Sequence, residues 1–203
     1  DLPPLPRAQA ELEALAGALG GAWGGAPGSG AQLILAGAEA TEPNLAAQDL
    51  PGFGVIAFAT HGLLGGEVPG LSEPALLLTP DGSAGEGADG LLTASEIATL
   101  SLDADWVILS ACETAAGASS GAPGYSGLAR AFAGAGARSL MLSHWRVRDD
   151  AAAMLSVETV RGAAGGLSRA EALRRAQLAL MERADVADAA HPAIWAPFVI
   201  VEN

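Results

Sequence analysis

Residues 106–114 read WVILSACET. Four apolar residues run into Ser110, Ala111 and Cys112, and an acid and a hydroxyl follow. A short, unbroken apolar run of this kind reads as a strand buried on both faces, as in parallel sheets. An upstream stretch, FGVIAFATHG (53–62), has the same form. One run ends in His61-Gly62 and the other in Cys112-Glu113. These two stretches decide the fold class.

Working outward, helical and strand-like segments alternate. LPRAQAELEALAGAL carries Leu5, Leu12, Leu15 and Leu19 on one side of a helix. A Gly-rich loop fills 20–30, and AQLILAG (31–37) reads as a short strand. Thr41 is the expected N-cap of a helix with Pro43 in its first turn. ALLLTP (75–80), RSLMLSHW (138–145) and APFVIVE (196–202) read as strands. Thr93 with Glu96, and Ser168 with Glu171, form capping-box patterns that open helices. Helices are also expected over 125–137 and from Asp149, itself a good N-cap. This alternation predicts a layered α/β fold around a mostly parallel sheet. One domain over 1–203 is expected, in which 1–30 supplies a helix and a Gly-rich loop leading into the core.

Composition narrows the function classes. The net charge is −13, and all ten basic residues are arginine. That acidity argues against nucleic-acid and anionic-membrane partners. No apolar run reaches the ~18 residues of a membrane span, and the start lacks a signal-peptide pattern. The single cysteine excludes an internal disulfide framework, and a cytoplasmic location is the expectation. No His/Cys cluster has metal-ligand spacing. The 81–90 loop lacks the order of an EF-hand, and the 20–30 loop lacks the lysine and context of a phosphate loop. Neither a cofactor nor a metal is expected.

In open α/β sheets, ligands bind beyond the carboxyl ends of the strands. If the two runs are parallel neighbours, His61 and Cys112 emerge on one edge. Two readings of Cys112 stand. A free cysteine is often a small core hydrophobe. Alternatively, the thiolate attacks a carbonyl while the imidazole takes the thiol proton and returns one to the leaving amine. The amides of Gly62 and Cys112 would then hold the oxyanion, and glycine at 62 allows close approach. The two residues stand 51 positions apart, against roughly 50 for the His-to-Cys spacing of caspases.

FATHG, GLLTASEIATLSL, VILSACETAAG, GLARAFAGAGARSLMLSHWRVRDD and HPAIWAPFVIVEN, in this order, resemble the CHAT family of caspase-like peptidase domains. The resemblance implies a three-layer α/β/α sandwich and a catalytic dyad of His61 and Cys112. It implies a cysteine endopeptidase acting on a protein or peptide, with a tetratricopeptide-repeat regulator in cis or in trans. The family usually opens with further strands before the first helix seen here, so a chain lacking those strands is expected.

The resemblance places the pocket for the residue before the scissile bond around the strand after the catalytic one. Ser110, Glu113, Trp145, Asp149 and Asp150 are its candidate lining. A carboxylate from Asp149 or Asp150 would favour a basic residue. Each has a plainer reading: Glu113 as a solvated charge, Asp149 as a helix cap, Trp145 as core. His144 is expected on the opposite side from Trp145, and His191 in a packing role. Two other functions compete, a catalytically silent interaction module and an acyl transferase or amidase using the same dyad.

Overall fold

The computed structural model describes residues 5–20, 32–82, 88–110, 127–145 and 147–202. Its central sheet has the order β1-β5-β6-β7. The strands are β1 (Val55–Ala59), β5 (Trp106–Ser110), β6 (Ser139–Ser143) and β7 (Phe198–Glu202). The first three run parallel and β7 is antiparallel to β6. The expected mixed α/β architecture with a mostly parallel sheet is therefore the observed one. A second, three-stranded antiparallel sheet joins β2 (Gly62–Leu63), β3 (Ala75–Leu77) and β4 (Leu91–Thr93).

Strand alternation splits the core into two layers. Val107, Leu109, Leu140 and Leu142 face one side, with Phe58 and with Phe132 from α4 (Gly127–Gly134). The Phe58 and Phe132 rings lie 5.5 Å apart at 48°. Ile97 of α3 (Ala94–Ile97) joins this layer. Trp106, Ile108 and Met141 face the other side. There they meet Leu15 of α1 (Ala8–Leu19), Leu155 and Val160 of α5 (Asp149–Ala164), and Leu173 of α6 (Arg169–Met181). All five residues of β5 are buried, as a central parallel strand requires.

Several local expectations hold. The helix α2 (Glu42–Ala46) has Thr41 as N-cap, its hydroxyl accepting from Asn44 N. Thr93 and Glu96 form a full capping box on α3. Others need correction. Residues 32–36 form no strand and lead into a 3₁₀ turn at Gly37–Glu39. Leu33, Ile34 and Leu35 have the composition of a strand, but a strand forms only against a ladder partner, and none pairs with them among the described residues. Ser168 caps α6 through Glu171 N, but the reciprocal half of the box is lost. The Glu171 carboxylate turns instead to Arg174 and Arg175, which hold its pKa down at about 2. Asp149 is the first residue of α5 rather than its cap, which is Arg148.

Candidate functional site

The parallel register sets Ala59 beside Ser110. Both strands therefore end at the same edge, the carboxyl edge where α/β sheets place their ligands. His61 follows β1 by two residues and is half-buried. Its main chain is fixed by the small sheet: Leu77 N donates to His61 O at 2.9 Å. The preceding Thr60 hydroxyl donates to Leu77 O. In the β2–β3 register His61 opposes Leu77 as a hydrogen-bonded pair, and Gly62 opposes Leu76 one step later. Antiparallel ladders alternate bonded and non-bonded pairs, so the Gly62 amide points away from β3. A donor at the sheet edge is thus left outside the ladder.

Cys112 and Glu113 lie outside the described residues. Ser110, two residues before Cys112, ends β5 and is buried. Its hydroxyl has no hydrogen bond of regular geometry among the described residues. It faces a group that the sequence reading overlooked, the carboxylate of Glu11 on α1. Glu11 is only 4% exposed, and Ser156 of α5 donates to its Oε1 at 2.5 Å. Burial raises its pKa, the neighbouring Ser156 and Ser110 hydroxyls oppose the rise, and Asp149 adds to it. A signal was present: Glu11 sits one turn before Leu15, on the apolar stripe of its helix.

Because its folded-state pKa is raised, Glu11 favours folding most below its unfolded value near 4.5, and that contribution is lost as pH rises through the folded value. Glu11→Gln keeps a carbonyl for Ser156 and removes the buried charge. Its urea midpoint is expected to exceed that of the wild type at pH 7, the gap closing towards pH 4. An equal midpoint at both pH values would contradict this origin of the shift.

A cavity of about 30 Å³ lies at this edge, lined by Glu11, Ala59, Thr60, Ser110, Val147 and Asp149 among others. The structure thus brings two of the sequence-derived pocket residues, Ser110 and Asp149, together with Glu11. Asp149 also meets Arg7, whose Nε approaches Oδ2 to 4.0 Å. Asp150 is engaged elsewhere: Arg148 hydrogen-bonds both of its oxygens, which lowers its pKa and raises that of the guanidinium. Trp145 does not line the cavity; its Nε1 donates to Ala193 O of α7 (Pro192–Trp195) at 3.1 Å. His144 stacks on Trp145 with centroids 6.1 Å apart, because β6 ends at Ser143 and strand alternation no longer separates the two rings. His191 caps α7, its Nδ1 accepting from Ala193 N.

A larger groove of about 930 Å³ is lined by β1, α1 and residues 32–37, and His61 is part of its lining. Its lining is mostly aliphatic, with Leu12, Leu15, Ile34 and Val55 among the side chains. Among the described residues, no group of three His, Cys, Asp or Glu is arranged to hold a metal, and no helix is long and apolar enough to cross a membrane.

A mostly parallel sheet with helices on both faces is consistent with a caspase-like α/β fold. The family model for the CHAT domain matches residues 1–203, the whole chain. The chain belongs to that family, which is related to cysteine peptidases. Comparison with curated proteins gave no match.

Proposed function

We propose that this domain is a cysteine endopeptidase working through His61 and Cys112. The observation that carries the reading is the parallel β1–β5 pairing, which puts the residues leading to His61 and Cys112 at one edge. Imidazole takes the thiol proton and the thiolate attacks the peptide carbonyl. The tetrahedral oxyanion is held by the amides of Gly62 and Cys112. The C–N bond then breaks, the imidazolium protonates the departing amine, and water hydrolyses the thioester. Ser110, Glu113 and Asp149 are assigned the subsite roles that the family resemblance implies, whereas Trp145 and Asp150 are held by Ala193 O and by Arg148. A tetratricopeptide-repeat segment, in cis or in trans, gates the site; family resemblance is the support for this part.

The test is covalent labelling by peptidyl acyloxymethyl ketones, read by intact mass. Wild type is expected to gain one adduct at a rate that depends on the peptide, and Cys112→Ala to gain none. Alkylation indifferent to peptide sequence would mean an unactivated thiol. No adduct, even with a repeat partner added, would favour the interaction-module reading.

A further inference from the structure

The small cavity at the sheet edge has two acids, Glu11 and Asp149, and two hydroxyl residues, Ser110 and Thr60, in its lining, and no basic residue. The Glu11 carboxylate is almost wholly buried, yet none of the influences on its pKa is a cation. Ser110 is 9% exposed, and its hydroxyl faces the Glu11 carboxylate without a hydrogen bond of regular geometry among the described residues. A buried carboxylate with hydroxyls as its side-chain partners and no cation beside it lacks a countercharge, and buried charges are normally paired. Arg7 touches Asp149 from outside, at 4.0 Å and with a 57% exposed side chain.

Resting on the peptidase reading above, we infer that this cavity is the terminus of the subsite for the residue before the scissile bond, and that it takes the ammonium of a lysine, with Glu11 as its specificity-determining residue. Size supports this choice. About 30 Å³ suits one or two waters, and an ammonium is a compact point charge of similar size. A planar guanidinium is larger and calls for a wider slot. Valence supports it too, since an ammonium brings three donors and no acceptor. Glu11, Ser110 and Asp149 supply three acceptors. Position supports it last, because Ser110 is two residues from the proposed nucleophile. The ammonium would provide the countercharge that the buried Glu11 lacks.

Two arms test this. The first measures labelling rates with ketones carrying lysine, arginine or norleucine before the warhead. Lysine is expected to exceed norleucine at least about tenfold, roughly one charge-assisted hydrogen bond, and to exceed arginine. Glu11→Gln should erase most of the lysine advantage over norleucine. Asp149→Asn should reduce it partially, and serves as the second variant should Glu11→Gln fold poorly. A lysine rate no higher than norleucine, or a ratio unaltered in both variants, overturns the subsite while labelling itself upholds the peptidase reading.

The second arm needs no thiol chemistry. n-Butylammonium should raise the melting temperature of wild type and of Cys112→Ala equally, and that of Glu11→Gln much less. Silent ketones with a Glu11-dependent amine shift would uphold the cation site and sink the peptidase reading. An amine shift that is absent, or the same in Glu11→Gln, overturns the site.

Discussion

Gly136→Ala is expected to destabilise the fold by about 3 kcal/mol or more. Gly136 has φ +114°, a conformation that L side chains rarely adopt. A Cβ there would stand 2.1 Å from the Leu102 carbonyl oxygen, an impossible contact with backbone rather than with a side chain free to move. The neighbourhood is pinned on every side. Leu102 N donates to Ala135 O at 2.8 Å, Ala137 N to Phe132 O at 3.0 Å, and Arg138 N to Ala104 O at 2.9 Å. The first and third of these bonds tie the end of α4 and the turn after it to the segment that enters β5, and the second closes that turn. Relief of the clash must move β5's entry or break this clamp. For a chain of this size the loss corresponds to a melting-temperature drop of roughly 6–12 °C. Urea titration with an unchanged slope would report it as stability. A midpoint within the wild-type error would show that the loop relaxes freely.

The same junction shows what the sequence could carry. The central strands were legible because they are buried on both faces, so WVILS and VIAFA appear as unbroken apolar runs. Capping at Thr41 and Thr93 was legible because it depends only on neighbours three residues away. The strand expected at 31–37 failed for the opposite reason, since pairing is a long-range event and local composition is blind to it. The short β2 and β4 were missed on the same ground: two or three residues hold no period.

The candidate site divides the same way. The edge at which His61 lies was legible because His61 follows a strand, and chain direction then fixes that edge. Glu11 was missed because its place beside Ser110 and Ser156 depends on how α1 packs against α5 and β5, across a separation of up to 145 residues. A carboxylate on the apolar stripe of a helix violates the helix's own pattern. Here that violation marks a buried polar contact, the Glu11–Ser156 hydrogen bond. The Gly62 amide was expected to be useful because glycine is small. The structure adds a reason independent of size: the ladder alternation turns that N–H away from β3.

His61→Ala is expected to lower kcat/KM for a cleaved peptide about 100- to 10,000-fold, the usual range for loss of a positioned acid–base group. Each tenfold is about 1.4 kcal/mol of transition-state stabilisation, so the loss is roughly 3–5 kcal/mol. Stability should follow much less. The backbone bond from Leu77 N to the His61 carbonyl helps anchor this turn, and alanine retains it. The side chain is half-buried in the lining of a groove rather than in either core layer, so its removal opens no sealed cavity. The loss should fall on kcat more than on KM, because in the proposed mechanism the imidazole acts on the thiol and the leaving amine rather than on the bound peptide's side chains. A drop in activity matched by an equal drop in melting temperature would make His61 a structural residue. An unchanged kcat/KM would remove it from the chemistry, and the proposed dyad with it, since no other histidine qualifies: His144 is stacked on Trp145 and His191 is spent as a helix cap.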